Sequence, residues 1–537
     1  MALDIEILDT TLRDGAQGEG IVFSVGDKLA VAEALDELGI AWIEAGNPGS
    51  NPKDKEFFRR SRSLQLKNAR LCAFGATRKK GIKAADDKQV QSLLDAQTEA
   101  VVIFGKSWDL HVNKVLRVEL EENIDMIAET VAFLKKQGRQ VFYDAEHFFD
   151  GWAANPAYAL STVKAAWNAG ADMLVLCDTN GGVFPNAVAA GVKAVAQMIP
   201  GAGLGIHAHN DSGLALANTI GAVQEGCIHV QGTLVGFGER CGNTSLAALI
   251  PSIELKMGLR CLPEGNLSRL LELTRRVAEI ANVSLNDDMP YVGMHAFAHK
   301  AGMHADGILK TRQSFEHVDP AAVGNTRHFL MSEVGGRAII ADRINNIDKT
   351  INKNHPVTAK LAEKIKNLEA QGWSYEGADA SFELLVRREL ASMEGRSRHK
   401  PLFRIVAYRV ISEHPTGKTL ACSHAWVKVL VGGQHEIAAA EGEGPVNALD
   451  SALRRALLRF FPDLAKVRLD DYKVRVIDGN ATAARVRVLI QTTDGRHSWS
   501  TVGVSADIID ASRAALVDSI EYYLLKNREQ GTGGRDQ

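Results

Sequence analysis

The chain has 537 residues, 45% of them hydrophobic and 24% charged, with a formal net charge of −3 and a pI of about 6.6. That length exceeds what one hydrophobic core usually serves, so two or three domains are expected. The charge balance gives no electrostatic reason to expect nucleic acid or an anionic membrane as partner, and no apolar run reaches the roughly 18–20 residues of a membrane helix.

The N-terminal MALDIEILDT lacks a basic segment followed by an apolar one, so no secretory signal is expected. Six cysteines, at 72, 177, 227, 241, 261 and 422, are scattered without a CxxC pair. Most sit in apolar or strand-like runs, which favours reduced, buried thiols and a cytoplasmic protein.

In chain order, the expected strands are IEILDT (5–10), WIEAG (42–46), LCAFG (71–75), VVIFG (101–105), QVFYDAE (140–146), MLVLCDT (173–179), GLGIHAHN (203–210) and VQGTLVGFG (230–238). Helical stretches lie between them. DKLAVAEALDELG (27–39) repeats its apolar residues at three- and four-residue steps, and NPAYALSTVKAAWNAG (155–170) opens on Asn-Pro and closes on Gly. Eight such units in about 250 residues predict a (β/α)8 TIM barrel over 1–258, with a doubly wound open sheet as the competing architecture. Nearly every strand ends in an ionisable or hydrogen-bonding residue: Asp9 with Arg13 and Asp14, Glu44, Lys106, Glu146, Asp178 with Thr179, His207 with His209, and Glu239. Groups from so many strands meet at one point only if the sheet closes, which favours the barrel.

Residues 259–398 are expected to form helical subdomains, with a His-rich stretch at 294–310 and a charged helical part ending in the polar linker SMEGRSRHKP. Residues 399–530 read as a separate α+β domain with an internal repeat. One copy runs over 425–461 and the other over 484–525, each being strand, Gly-containing turn, strand, Gly and helix. The tail GTGGRDQ is expected to be disordered.

His207 and His209 lie two apart on a strand, so both imidazoles face one way. A lone HxH is weak; with Asp14 from the end of the first strand it offers two nitrogens and a carboxylate to an open site. That donor set suits Mn2+, Zn2+, Fe2+ or Co2+, and Mg2+ where water fills other positions. Arg13 beside Asp14 is either a surface ion pair on a turn or a guanidinium placed to stabilise a developing enolate or alkoxide. Glu146 is either a loop carboxylate or a general base for a weakly acidic C–H proton. Thr179 offers a hydroxyl for a substrate carboxylate. The glycine-rich GTLVGFGERCGN (232–243) is neither a Walker loop nor a dinucleotide fingerprint, and instead presents Glu239 and Asn243 on a tight loop. Phe104 and Lys106 share strand parity, so both are expected to face inward.

The motifs DTTLRDGAQ, CDTNGG, HAHNDSGLALAN, GTLVGFGERCGN and FAHKAGMHADGILK, spread over residues 5–337, resemble the 2-isopropylmalate, homocitrate and citramalate synthase family. Within it, DGAQGEGIVFSVGDK, PGSNPKD, YDAEHFFDGW and EHVDPAAVGN most resemble the long-form (R)-citramalate synthases. The resemblance implies a condensation of acetyl-CoA with pyruvate in isoleucine biosynthesis. It also implies a divalent metal held by Asp14, His207 and His209 with Asn243 as a fourth ligand. Glu146 would assist enolisation, Arg13 would bind substrate and stabilise the oxyanion, and Thr179 would bind the oxo acid's carboxylate. His299 would reach over from the following subdomain. It further implies a homodimer and a C-terminal allosteric domain that binds isoleucine or leucine. Three positions depart from the family: Phe315 stands where a tyrosine is usual, and Ala45 and Asn47 stand where the long-form enzymes have glycine and tryptophan. The alternatives are a 2-isopropylmalate or homocitrate synthase, a related aldol lyase, and a non-catalytic amino-acid sensor.

Overall fold

The computed structural model describes residues 3–300, 302–329, 340–341, 344–345, 347, 351, 355–393, 401–413, 422–477 and 484–532. These fall into two compact units, residues 1–297 with 317–327, and residues 298–316 with 328–537.

The first unit is a closed parallel barrel in strand order β1 to β8. The strands are β1 (Glu6–Asp9), β2 (Trp42–Glu44), β3 (Arg70–Ala76), β4 (Ala100–Lys106), β5 (Gln140–Glu146), β6 (Met173–Asp178), β7 (Leu204–Ala208) and β8 (His229–Gly232). Closure is made by β1 and β8, with Glu6 opposite His229 and Asp9 opposite Gly232. Side chains alternate along each strand. Leu8, Trp42, Cys72, Val102, Phe142 and Val175 form an apolar layer inside the barrel. Their neighbours Ile7, Ile43, Ala73, Val101, Tyr143 and Leu174 join the larger cluster with the surrounding helices. Runs apolar at every position therefore form strands buried on both faces.

Local signals set the helices between the strands. Ser24 and Asp27 form a capping box on the helix Val25–Leu38, and Gly39 ends it in the left-handed conformation. Asn155 caps Pro156–Asn168 by accepting from the backbone N–H of Tyr158. The eighth expected strand is shorter than anticipated: it ends at Gly232 and the remaining residues to 238 form a loop. The barrel unit also takes in the helix Leu270–Ile280, whose Arg276, with Arg269 just before it, binds Glu37 on the helix Val25–Leu38 at 2.9 and 2.8 Å.

In the second unit, β9 (Ala298–His299) pairs in parallel with β10 (His328–Phe329). Two three-stranded antiparallel sheets follow, β11 (Arg404–Glu413), β12 (Cys422–Val431) and β13 (Gln434–Gly442), then β14 (Arg468–Val476), β15 (Val486–Thr493) and β16 (Ser498–Ser505). Helices Pro445–Leu458 and Ile508–Thr532 follow β13 and β16, so the repeat unit is three strands and a helix. Its first strand, β11 or β14, was not evident in the sequence pattern because polar and charged residues interrupt both. The expected linker over 392–401 and the tail from 531 lie largely outside the described residues. Among the described residues no helix is long and apolar enough to cross a membrane.

Candidate active site

Strand parity carries Glu44, Phe74, Phe104, Lys106, Asp144, Glu146, Cys177, His207 and Gln231 inward, above the apolar layer. Asp14 joins them from the turn after β1. It is buried, and its Oδ2 lies 3.4 Å from His207 Nε2 and 3.9 Å from His209 Nε2. The two Nε2 atoms are 3.3 Å apart. One donor atom from each of the three residues thus lies within 4.8 Å of the others.

Gln231 fixes the His207 ring. Its Nε2 donates to Asp144 Oδ1 at 3.0 Å, which turns its Oε1 toward His207 Nδ1 at 2.9 Å. Nδ1 therefore carries the proton, and the Nε2 lone pair faces Asp14 and His209, as a metal-ligating imidazole requires. Burial works to lower the His207 pKa, but the Asp14 carboxylate outweighs it and raises it above the ordinary value. Burial and the neighbouring His207 push His209 down to about 4, so its ring is neutral near pH 7. Burial would raise Asp14, yet Arg13, His207 and His209 hold it well below the usual carboxylate range.

Asn243 is buried in the loop after β8, bridging to His209. Its Nδ2 donates to the Phe237 carbonyl at 3.1 Å, while its Oδ1 and the Oδ1 of Asp14 have no hydrogen-bond partner. Buried acceptors without a donor carry a desolvation cost of about 1–3 kcal/mol each. Two neutral-capable imidazoles, a carboxylate and an unsatisfied amide oxygen fit a divalent cation of the borderline class.

Arg13 spans the site. Its Nε donates to Glu44 Oε2 at 2.6 Å, its Nη1 to Asp14 Oδ2 at 3.0 Å, and its guanidinium lies 3.8 Å over the Phe74 ring. Glu146 forms an ion pair with Lys106 from the adjacent strand. Thr179 Oγ1 accepts from the His147 N–H at 2.9 Å, leaving its own hydroxyl proton free to point elsewhere. Arg13, Asp14, Glu146, Thr179, His207 and His209 all line one cavity of about 350 Å³.

The surrounding loops are locked together. Arg240 binds Asp211 through Nε and Nη2 at 2.8 and 3.0 Å and donates to the Thr179 carbonyl at 2.7 Å. Only glycine fits at 238, because a Cβ there would stand 2.3 Å from Asn243 Nδ2.

Of the residues singled out from sequence, those six together with Asn47, Phe104 and Glu239 line the cavity, and Asn243 lies buried beside His209. His299 belongs to the second unit, where its Nε2 is 3.1 Å from Glu316 Oε1. Phe315 stacks on His304, with centroids 4.2 Å apart. Two strand-end carboxylates do not enter the cavity, since parity turns them outward. Asp9 accepts from the Thr11 N–H and hydroxyl, and Asp178 from the N–H groups of Gly182 and Val183. Sequence reasoning passed over Asp144, Cys177, Phe74 and Gln231. The signal was present: each shares parity with a residue already recognised or with its own strand's inward layer.

A closed barrel with this cluster at the C-terminal ends of its strands defines a class. Residues 4–277 match the HMGL-like family, 291–372 the homocitrate synthase post-HMGL domain-like family, and 376–524 the LeuA allosteric (dimerisation) domain. The chain is 48% identical to the (R)-citramalate synthase of Aquifex aeolicus over 532 residues, covering 99% of this chain and 100% of that one. It is 47% identical to the (R)-citramalate synthase of Geobacter sulfurreducens, covering 98% of each chain. It is also 47% identical to that of Streptomyces coelicolor, covering 97% of this chain and 96% of that one. The chain belongs to the (R)-citramalate synthase family of HMGL-like enzymes.

Proposed function

We propose that the chain condenses acetyl-CoA with pyruvate and hydrolyses the thioester, releasing (R)-citramalate and CoA. The observation that carries this reading is the convergence of Asp14, His207 and His209 with Arg13, Glu146 and Thr179 on one cavity, in a chain alike over its whole length to (R)-citramalate synthases. Asp14, His207, His209 and Asn243 would hold a divalent cation, which when bound would supply Lewis-acid polarisation of the 2-oxo acid carbonyl. Thr179 donates its hydroxyl to the acid's carboxylate. The Glu146 carboxylate takes a proton from the acetyl methyl, and the carbanion adds to the keto carbon. Arg13, held by Glu44, donates to the oxygen that gains negative charge in that step. His299 is a further catalytic residue in this reading. Water then cleaves the thioester, which makes the sequence effectively irreversible.

This reading treats residues 1–258 as catalytic, 259–398 as subdomains and 399–530 as an allosteric and dimerisation domain that responds to isoleucine or leucine. The match to the LeuA allosteric (dimerisation) domain supports the last part and a homodimer. Six unpaired cysteines, four of them buried, support a cytoplasmic setting.

The test is thiol release from acetyl-CoA with a panel of 2-oxo acids in Mg2+, Mn2+ or EDTA. The expected result is metal-dependent release with pyruvate and little with 2-oxoisovalerate or 2-oxoglutarate. Release with another acid alone would reassign the acceptor, and none with any acid would refute the condensation.

A further inference from the structure

The end of the β11–β12 pair gathers three unlike donors that the reaction does not use. Glu413 and Cys422 are direct cross-strand partners, and His424 follows two residues on, on the same face. The intervening Ser423 and the following Ala425 are buried on the opposite face, whereas Cys422 and His424 are half-buried. Cys422 Sγ lies 3.3 Å from His424 Nε2, and one donor atom of each of Glu413, Cys422 and His424 lies within 4.8 Å of the others. Zinc–sulfur and zinc–nitrogen bonds of about 2.3 and 2.0 Å at a tetrahedral angle put sulfur and nitrogen roughly 3.5 Å apart. The pair already stands at nearly that spacing. The other ring nitrogen, Nδ1, faces the Glu441 carboxylate at 3.7 Å. A carboxylate behind the non-ligating nitrogen is the arrangement that orients metal-bound imidazoles.

The internal repeat supplies a control. In each copy a glycine presses against the following helix, Gly442 opposite Ser423 and Gly503 opposite Val488. Aligned on these glycines, Glu413, Cys422, His424 and Glu441 correspond to Arg475, Arg487, Leu489 and Val502. In the second copy Arg487 donates to the Gly372 carbonyl, and Leu489 and Val502 join an apolar cluster. The fold module therefore does not itself require donors at these places, and the first copy carries three together.

We propose that Glu413, Cys422 and His424 form a cation site, separate from the barrel cluster, for a borderline-to-soft divalent ion of the Zn2+ class. Thiolate and imidazole exclude Mg2+ as its natural occupant and select Zn2+, Co2+ or a similar ion. On binding, the sulfur–hydrogen bond of Cys422 breaks, its proton passes to solvent and the sulfur pair enters the metal–sulfur bond, so affinity falls as the medium is acidified. Water completes the coordination.

The probe is Co2+, titrated into the reduced full-length protein after chelator treatment. A thiolate ligand gives a near-ultraviolet charge-transfer band, which the barrel ligands, having no sulfur among them, do not produce. Because the barrel cluster also takes Co2+, the expected result is a band that saturates within two equivalents, is displaced by Zn2+, and vanishes in Cys422→Ser. His424→Asn should weaken the binding that produces the band at least tenfold, with circular dichroism verifying that each variant is folded. Absence of the band in the parent protein, its persistence in Cys422→Ser, or indifference to both His424→Asn and Glu413→Gln would overturn the proposal, leaving only a thiol–imidazole hydrogen bond or a lone thiol.

Discussion

Gln231 is the residue through which the least conspicuous part of the site acts on the most conspicuous. Its amide links a buried carboxyl, Asp144, to the ring that offers its lone pair to the cluster. Replacing it with leucine keeps the approximate volume but frees the His207 tautomer and orientation. The expected outcome is a loss of roughly 10–100-fold in affinity for the activating metal, read as a shift in the Mn2+ dependence of thiol release. An unchanged metal dependence would remove Gln231 from this role. Asp144 itself is raised from 3.8 to about 7, chiefly by burial and then by the Glu44 carboxylate. Between these values the folded protein holds a proton that the unfolded chain has released, so stability falls as pH rises through that window. Asp144→Asn can still accept from Gln231 and has no proton to lose. In EDTA, the Tm of the variant relative to the parent should therefore increase from pH 4 to pH 8, and a constant difference would contradict the assignment.

At the scale of elements, the barrel was largely readable because its strands are apolar at every position and punctuated by helix caps. The same alternation that placed His207 and His209 together also explains what was overlooked. Asp144 lies two residues before Glu146, and Gln231 two after His229; applying the period to every strand would have found both. The strands β11 and β14 were hidden by mixed polar and apolar residues, which fit edge strands of small sheets with one face open and carry no clean period. The loop after β8 was legible only as glycine-rich. Its reason, a backbone too close to Asn243 for any Cβ at 238, is a tertiary contact that no local pattern displays. Parity also places Phe104 in the cavity, stacked on Phe74 with centroids 5.3 Å apart. This aromatic pair takes up space that a branched 2-oxo acid would need. Phe104→Ala should move the ratio of kcat/KM for 2-oxoisovalerate over pyruvate by roughly tenfold or more toward the larger acid. An unaltered ratio would place the selection of acceptor elsewhere in the cavity.

At the scale of the molecule, each unit carries its own apolar clusters, the barrel with its surrounding helices in one and the paired sheets with their helices in the other. Units with separate cores can unfold separately, so a single unfolding free energy is not expected to describe this chain. Scanning calorimetry of the full protein should resolve two transitions. The barrel cluster, with its carboxylate and amide oxygens, can take Mg2+, whereas a thiolate–imidazole set cannot hold it well. A ligand that binds only the folded form stabilises by about 2.7 kcal/mol at one hundred times its Kd. Mg2+ at that level should therefore raise one transition and leave the other in place, and EDTA should restore the first. If residues 399–530 recognise a branched-chain amino acid as proposed, that ligand should act on the other transition. If both ligands move one common transition, the two units unfold as a single cooperative body and the division of labour between them cannot rest on independent stability.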